Sequence, residues 1–327
     1  MKLIIQIPCF NEAETLPVAL GALPKSLPGI STIEILIVDD GSTDNTAQVA
    51  RDWGVDHVVR LPQNRGLATA FIAGLDSSLQ HGADVIVNTD ADNQYCADDL
   101  AGLVQPILDG KAEMVIGARP ITEVEQFSPT KKLLQRFGSW VVRVVSGTGV
   151  PDAPSGFRAI SREAAMKLNV FSSYTYTIET IIQAGHKGIA TTSVPVRVNP
   201  DLRPSRLVRS ISDYVRRSLT TIVRIFMVYR PVRFFFLLGS IPFGAGTLLG
   251  IRFLVSYFSG AGAGKVQSLI LAAVLLLMGF SLFVLGLVAD LISVNRKLLE
   301  KVDWRLRQVE EEMRRTRSSD ESSGDAK

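Results

Sequence analysis

Cysteine and histidine are scarce in this sequence of 327 residues, which contains two cysteines and three histidines. Two cysteines are too few for a disulfide framework or for a zinc site with four thiolates. The three histidines are widely separated in the sequence, which argues against a histidine-rich metal centre. The sequence also lacks the G-x-G-x-x-G and Walker A patterns, so it supports neither a dinucleotide-dependent dehydrogenase nor a P-loop NTPase.

A secretory signal peptide is not predicted at the N-terminus. The apolar stretch after Met1 is short, and the polar pair Asn11 and Glu12 follows it directly. Two cysteines without a disulfide pattern fit a reducing compartment. We therefore expect the N-terminal part of the chain to be cytosolic.

The net charge of +3 is distributed unevenly along the chain. Residues 1–196 contain 15 basic and 21 acidic residues, a net charge of −6, whereas residues 197–233 contain nine arginines and two aspartates, a net charge of +7. Residues 234–327 contribute 11 basic and nine acidic residues, a net charge of +2. Because the large first part is acidic and the basic residues are concentrated in one short segment, we expect no nucleic-acid partner.

Long runs without charge follow this basic segment. Residues 234–251 and 266–289 carry no charged side chain, and about 20 apolar residues suffice to cross a bilayer. The alternative, a pair of buried core helices, rarely produces runs of this length. Basic residues flank both runs on their outer sides, so the positive-inside rule places both termini and the N-terminal domain in the cytoplasm. The sequence predicts an integral membrane protein with a two-helix hairpin.

Residues 206–228 form an amphipathic pattern just before the first run. At 100° per residue the apolar side chains fall on one face and five arginines on the other. This pattern is typical of helices that lie in a membrane interface, where arginines pair with anionic headgroups or lipid phosphates. A solvated helix packed on the domain is the alternative.

A short apolar stripe occurs in the charged C-terminal tail. Its members alternate at spacings of three and four residues: Leu299, Val302, Leu306, Val309 and Met313. The stripe is shorter than the three to four heptads that identify a coiled coil. It predicts either a homo-oligomer contact or packing along the membrane surface.

Short apolar runs alternate with helical stretches over residues 1–196. The runs predict strands at Leu3–Ile7, Glu34–Val38, His57–Arg60, Asp84–Thr89 and Met114–Ala118. The helical stretches are Glu12–Leu23, Thr43–Trp53, Leu67–Gln80 and Ala97–Leu108. Strands that alternate with helices indicate an α/β domain with a mostly parallel sheet.

Polar segments follow three predicted strands, where open α/β sheets bind their ligands. They are Pro8–Glu12, Asp39–Ser42 and Asp90–Gln94. Each alone is equally typical of a turn or a helix cap, but acidic groups gathered from three strand ends need a cation. Oxygen ligands suit Mg²⁺ or Mn²⁺, which normally also bind substrate phosphates. The joint pattern predicts a divalent-metal site for a phosphorylated ligand and favours a nucleotide.

Taken together, the motifs resemble family 2 glycosyltransferases with a GT-A fold. Within that family they are most similar to polyprenyl-phosphate sugar transferases of the dolichyl-phosphate mannose synthase and undecaprenyl-phosphate glucosyltransferase type. The segments that carry the resemblance are Ile7–Glu12, Val38–Asp44, Asn64–Leu67, Asp90–Gln94, Ile116–Arg119, Asp152–Arg158 and Arg203–Arg206. They occur in order over about residues 1–230, and an amphipathic segment before a two-helix hairpin also recurs in this subgroup.

The resemblance implies roles for individual residues. The nucleotide sugar would be bound by Pro8, Phe10, Glu12, Asp39, Asp40, Asp90 and Ala91. The metal would be held by Asp90, Asp92 and Gln94, and the catalytic residues would be Asp92, Arg119 and Arg203. The two arginines would face phosphates of the donor or the lipid acceptor. The sequence departs from many relatives at Asn93 and Tyr95, which would alter the donor pocket.

The implied reaction is metal-dependent transfer of a sugar, with inversion, from a nucleotide-diphosphate sugar to a polyprenyl phosphate at the cytosolic membrane face. A phosphate acceptor is already anionic, so a strong general base is not required. One alternative is a family 2 transferase that uses a glycolipid or polysaccharide acceptor, although the Gln-x-x-Arg-Trp motif of processive synthases is absent. The other is an inactive membrane-anchored scaffold that binds nucleotide sugars, against which the complete Asp-x-Asp motif argues.

The predicted layout has five parts. A cytosolic GT-A domain covers residues 1–205, and amphipathic interfacial helices cover residues 206–230. Transmembrane helices span residues 231–258 and 266–290, and a charged cytosolic tail covers residues 291–327. The expected partners are a nucleotide-sugar donor, a polyprenyl-phosphate acceptor and membrane lipids.

Overall fold

A computed structural model gives the fold of the chain. It describes residues 1–120, 129–170, 176–200, 220, 223–224, 226–259 and 266–324. The chain divides into two compact units, Met1–Ser218 and Leu219–Lys327. The first unit contains the sheet, and the second contains two long apolar helices.

One mostly parallel sheet organises the first unit. Its strands in the described part of the chain are β1 (Lys2–Cys9), β2 (Thr32–Asp39), β3 (His57–Arg60), β4 (Val85–Asn88), β5 (Met114–Ala118), β6 (Arg158–Ser161) and β7 (Thr191–Pro195). Their order across the sheet is β3-β2-β1-β4-β6-β5-β7. Strand β6 runs antiparallel to β4 and β5, and the other neighbouring pairs are parallel. The predicted α/β class with a mostly parallel sheet is confirmed.

Helices connect these strands. They are α1 (Leu16–Ala22), α2 (Thr46–Trp53), α3 (Leu67–Gln80), α4 (Leu100–Leu108), α5 (Pro129–Ser146), α6 (Arg162–Lys167) and α7 (Thr177–Lys187), with a 3₁₀ turn at Ala97–Asp99. Helix α2 ends at Gly54 because this glycine adopts a left-handed φ of 84°, which stops helix propagation. Helix α6 begins where the Ser161 hydroxyl accepts a hydrogen bond from the Ala164 N–H, at 3.2 Å.

The five strands predicted from apolar runs are all present, and α1 to α4 lie within the predicted helical stretches. The last two strands were not predicted. Strand β6 is only four residues long and begins with a charged residue, Arg158. Strand β7 is partly exposed along its length and therefore lacks a continuous apolar run.

A buried polar contact links β1 to β4 in the centre of the sheet. Gln6 and Asn88 are both fully buried, and the Gln6 Nε2 donates to the Asn88 Oδ1 at 2.9 Å. Gly74 on α3 packs directly above this pair, since a Cβ built there would lie 2.6 Å from the Gln6 Oε1. The absence of a side chain at position 74 therefore keeps the Gln6 amide in place.

We expect Gly74→Ala to lower the thermal unfolding temperature of the full chain in detergent. The added methyl group would displace the Gln6 amide, and overpacking of this kind costs about 1–3 kcal/mol. Gly102→Ala on α4 is the matched control, because no described atom lies within 4 Å of its Cβ position and alanine favours a helix. A Gly74→Ala variant at least as stable as the control would contradict the close approach.

The second unit contains helices α8 (Pro231–Phe258) and α9 (Val266–Gly324). Helix α8 and the Val266–Arg296 part of α9 are long and apolar enough to cross a membrane. The two helices pack closely at Gly239 on α8, where an added Cβ would lie only 2.8 Å from the Phe283 ring of α9. Most other apolar side chains of both helices are exposed, as expected for surfaces that hydrocarbon covers. The predicted two-helix hairpin is present, whereas most of the amphipathic segment before it lies outside the described residues.

Candidate active site

Three polar segments meet at one edge of the sheet. Strands β2, β1 and β4 are adjacent and parallel, so the segments that follow them lie side by side. The pairing of Cys9 with Asp39 places the ends of β1 and β2 at the same level. The segments beginning at Phe10, Asp40 and Asp90 are thereby brought together, as the sequence predicted.

The loop after β1 is joined to the loop after β2 by side-chain hydrogen bonds. Asn11 has a φ of 56°, and its Oδ1 accepts from the Thr43 N–H at 2.8 Å. The Glu12 N–H donates to the Thr46 hydroxyl oxygen at 2.9 Å. The Glu12 side chain is buried, and its carboxylate accepts a hydrogen bond from the Thr15 hydroxyl. These contacts fix the turn that follows β1. Phe10, at the start of this turn, is 38% exposed. Phe10 thus offers an aromatic face at the rim of the site.

Asp39 and Asp40 hold the backbone of neighbouring loops in place through hydrogen bonds. Asp39 is fully buried, its Oδ1 accepts from the Ser42 N–H at 2.9 Å, and its Oδ2 lies 3.2 Å from the Arg60 Nε. The Asp40 carboxylate accepts hydrogen bonds from the backbone N–H groups of Arg65 and Gly66, each at 2.8 Å. Both aspartates therefore hold the loops that follow β2 and β3, and their roles toward a nucleotide stay predictions.

Asp90 and Asp92 lie just beyond the end of β4, on either side of the buried Ala91. Both are partly buried, and the Asp92 Oδ1 accepts the Gln94 N–H at 3.2 Å. Burial, together with the negative charge of Asp92, raises the pKa of Asp90 to about 7. Two carboxylates that disfavour each other's ionisation in this way create a position for positive charge.

An ion pair holds Arg119 at the end of β5. Its Nε and NH2 groups donate to the two carboxylate oxygens of Asp152, at 2.8 and 3.1 Å. The Arg119 N–H donates to the same carboxylate at 3.2 Å. The side chains are 10% and 1% exposed, so this bidentate contact fixes the guanidinium beside the acidic pair.

A second arginine, Arg158, is fully buried at the start of β6. Its guanidinium donates to the carbonyl oxygens of Ser155 and Ala153, at 2.8 and 2.9 Å, and to the Thr180 hydroxyl. Burial lowers the pKa of Arg158 to about 10, although nearby groups including Tyr176 and Asp90 favour its charge. Arg158 therefore clamps the loop between Asp152 and β6 and supplies positive charge behind Asp90.

Gly156 in that loop lies close to Asp90 and Tyr176. A Cβ at this position would lie 3.1 Å from both carboxylate oxygens of Asp90 and 3.0 Å from the Tyr176 hydroxyl. The Gly156 N–H donates to the Tyr95 hydroxyl oxygen at 3.0 Å, and its carbonyl accepts from the Asn88 Nδ2 at 2.9 Å. The lack of a side chain keeps the space next to Asp90 open.

The residues at the end of β4 fit a divalent cation. Their donor atoms are hard oxygens, which Mg²⁺ and Mn²⁺ prefer, and a cation there would offset the repulsion between Asp90 and Asp92. No group of three His, Cys, Asp or Glu side chains suited to a metal occurs within the part of the chain that the structure describes. Asp90 and Asp92 would thus supply the carboxylates and substrate oxygens would complete the shell, the usual arrangement for Mg²⁺ with a phosphorylated substrate.

The structure brings together most of the residues that the sequence singled out. Pro8, Phe10, Glu12, Asp39, Asp40, Asp90, Ala91, Asp92, Gln94 and Arg119 all belong to segments at this edge of the sheet. Arg203 lies outside the described residues, so its predicted catalytic role stays a prediction.

Asp152 and Arg158 were not assigned roles from the sequence, although the motif that contains them was recognised. The signal that could have identified Arg158 is a lone arginine inside the apolar run from Phe157 to Ile160, because a charge on a buried strand requires partners. The pairing of Asp152 with Arg119 joins residues 33 positions apart. No local pattern reveals a contact of that kind.

Comparison with known proteins identifies the family. The family model described as "Glycosyl transferase family 2" matches residues 4–168, about half of the chain. The polyprenol monophosphomannose synthase of Mycolicibacterium smegmatis is 29% identical over 206 residues, covering 60% of this chain and 76% of the relative. The undecaprenyl-phosphate mannosyltransferase of Micrococcus luteus is 30% identical over 207 residues, covering 60% and 83%.

A solved structure with the same fold is glucosyl-3-phosphoglycerate synthase from Mycobacterium tuberculosis, in complex with phosphoglyceric acid. It covers 69% of this chain and 79% of that one, with a TM-score of 0.55 and 21% identity. Another structure of that enzyme, with a TM-score of 0.52 and 22% identity, contains Mn²⁺, uridine-diphosphate-glucose and phosphoglyceric acid, and covers 68% of this chain and 79% of that one. The likeness confirms the GT-A-like fold. With the family match over half of its length, this chain belongs to glycosyl transferase family 2 and is a glycosyltransferase.

Proposed function

We propose that this glycosyltransferase moves a sugar from a nucleotide-diphosphate sugar to a polyprenyl phosphate at the cytosolic face of a membrane, with a divalent metal and with inversion. The observation that carries the donor half is the crowded pair Asp90 and Asp92 beside two arginines, Arg119 and Arg158. An anionic pair backed by cations suits a metal–diphosphate group, which presents charges of both signs.

The loops after β1 and β2 would bind the nucleotide. Phe10, which is partly exposed, would stack on the base, while Asp39 and Asp40 hold the backbone of the neighbouring loops. The diphosphate would then extend toward the end of β4, where Asp90, Asp92 and Gln94 would hold the metal. When bound, Mg²⁺ or Mn²⁺ supplies positive charge that neutralises the leaving diphosphate.

Arg119 has a fixed orientation in this arrangement. Because Asp152 grips its guanidinium through two hydrogen bonds, Arg119 needs no reorganisation as negative charge grows on the diphosphate. Arg158 acts through the loop that it clamps, since its donors are occupied by Ser155, Ala153 and Thr180. Arg203 is proposed to face a phosphate of the donor or acceptor.

The acceptor half of the proposal rests on two supports. The two relatives are named polyprenol monophosphomannose synthase and undecaprenyl-phosphate mannosyltransferase, and this chain has two candidate membrane-spanning helices, α8 and α9. A polyprenyl phosphate resides in the membrane and carries an anionic oxygen near neutral pH. That oxygen can attack the anomeric carbon without a strong general base, and a single in-line displacement inverts the configuration. By the positive-inside rule, the basic residues that flank the hairpin support a cytosolic position for both termini.

A transfer assay in membranes tests the proposal. Membranes that contain the full chain would receive radiolabelled UDP- or GDP-sugars, undecaprenyl or dolichyl phosphate, and Mn²⁺ or Mg²⁺. We expect one donor to yield a labelled product that extracts into organic solvent and that disappears with EDTA. Metal-dependent nucleotide binding without product from any donor would contradict the polyprenyl-phosphate acceptor. It would favour a glycolipid or polysaccharide acceptor, or an inactive scaffold that binds nucleotide sugars.

A further inference from the structure

An apolar stripe continues along α9 beyond the candidate span, which ends at Arg296. The tail stripe consists of Leu299, Val302, Leu306, Val309 and Met313, and each of these side chains is at least 50% exposed. The exposed residues Ile292 and Asn295 precede it in the same register. Five large apolar side chains in a row on one helix face mark an interaction surface in water.

The geometry of α9 excludes the membrane surface as the cover of the tail stripe. Residues Val266–Gly324 form one helix that runs past Arg296 without interruption. At 1.5 Å per residue, the part after Arg296 therefore projects about 40 Å along the axis of the span. A helix lying flat on the bilayer would need a break near Arg296. The sequence alone left two roles open for this stripe, a contact between copies of the chain and packing along the membrane surface. The unbroken helix argues against packing along the membrane surface.

Contacts within the second unit use a different face of α9. The Ser293 hydroxyl donates to the Val228 carbonyl oxygen at 3.4 Å, and the Arg296 guanidinium lies 4.9 Å from the centre of the Tyr229 ring. At 100° per residue, Ser293 is about 160° away from the middle of the tail stripe. These contacts therefore leave the tail stripe available to another molecule.

We propose that the tail stripe is the seam of a parallel two-stranded coiled coil between two copies of this chain. Its spacing of three and four residues places the stripe at the a and d heptad positions, and Ile292 extends it to three heptads. Two copies inserted in one membrane with the same orientation project their tails on the same side, so the pairing is parallel. Tethering to the membrane raises the effective concentration, which allows a short coiled coil to form.

Charge complementarity points to a second copy as the partner. With Leu299 at position a, Arg305 occupies g and Glu310 occupies the following e position. In a parallel pair these two positions face each other across the seam, and Glu312 faces Arg317 in the same way. Each pairing joins opposite charges, and each occurs twice in a symmetric dimer.

Cysteine cross-linking of the full chain in membranes tests the proposal. Leu306→Cys and Val309→Cys place thiols in the seam, whereas Gln308→Cys places one about 140° away from it. On mild oxidation we expect at least fivefold more disulfide-linked dimer from the two seam variants than from Gln308→Cys. The chain with only Cys9 and Cys96 sets the background. Equal yields at all three positions, or no dimer at the seam, would overturn the proposal.

A charge swap distinguishes pairing between two copies of the chain from binding of the tail stripe to another surface. In the Val309→Cys background, Arg305→Glu is expected to reduce the dimer yield at least threefold, because like charges then face each other. Adding Glu310→Arg is expected to restore the yield. A stripe covered by a different protein or by the chain's own first unit would give neither the dimer nor the restoration, and that result would sink the parallel pairing.

Discussion

Replacing Asp92 by asparagine is expected to lower sugar transfer at least about a hundredfold, the size of effect seen when one charge-stabilising group is removed from an active site. The variant keeps the shape of the side chain and removes one of two carboxylates at the end of β4. We expect the concentration of Mn²⁺ needed for half-maximal activity to rise as well. The measurement is labelled product formed as a function of Mn²⁺ concentration.

The folding stability of the Asp92→Asn variant distinguishes a catalytic role of Asp92 from a structural one. Asp92 disfavours the ionised form of Asp90, so Asp92→Asn should leave the metal-free protein as stable as before or more stable. Asp98→Asn is the matched control, because that side chain is 80% exposed and lies outside the site, in the 3₁₀ turn that follows it. Near-normal transfer by Asp92→Asn, or a loss of activity that merely follows a loss of folding, would contradict the metal assignment.

Asp152→Ala is expected to destabilise the full chain by about 3–5 kcal/mol, because it leaves the guanidinium of Arg119 buried without its carboxylate. Arg119→Met added to Asp152→Ala removes the isolated charge, so the double variant should be more stable than Asp152→Ala alone. The double variant should nevertheless remain inactive, since it lacks the cation proposed to act on the diphosphate. Unfolding in detergent and transfer activity are measured on the same preparations.

Asp109→Ala is the control for the buried pair. It removes a carboxylate from an exposed ion pair, in which Lys111 lies 2.8 Å away, and we expect no measurable change in stability. An Asp152→Ala variant as stable as this control would show that the Arg119 contact contributes little to folding. Activity in the double variant would remove Arg119 from the proposed mechanism.

The edge of the sheet that carries the candidate site was predictable because its signals are local. Apolar runs of four to eight residues predict strands, and parallel strands gather their carboxyl ends at one edge. Asp40 and Asp90 follow such runs directly, so their proximity followed without knowledge of any tertiary contact. The charge-free runs that became α8 and α9 were equally local signals.

The other half of the site depends on contacts between distant residues. Asp152 pairs with Arg119 across 33 positions, and Arg158 on β6 donates to Thr180 on α7, 22 positions further along the chain. Strand β6 runs antiparallel to both of its neighbours, and the charged Arg158 interrupts the short apolar run that would have predicted it. Tertiary packing decides such elements, and a single sequence does not encode which partner a buried charge selects.

The chemical form of the product tests the central claim most directly. The labelled lipid would be purified and its linkage determined by ³¹P and ¹H NMR. Transfer to a polyprenyl phosphate with inversion predicts a phosphodiester between the lipid and the anomeric carbon, with the configuration opposite to that of the donor. A sugar attached elsewhere than to a lipid phosphate, or a product that retains the donor configuration, would contradict the proposed reaction.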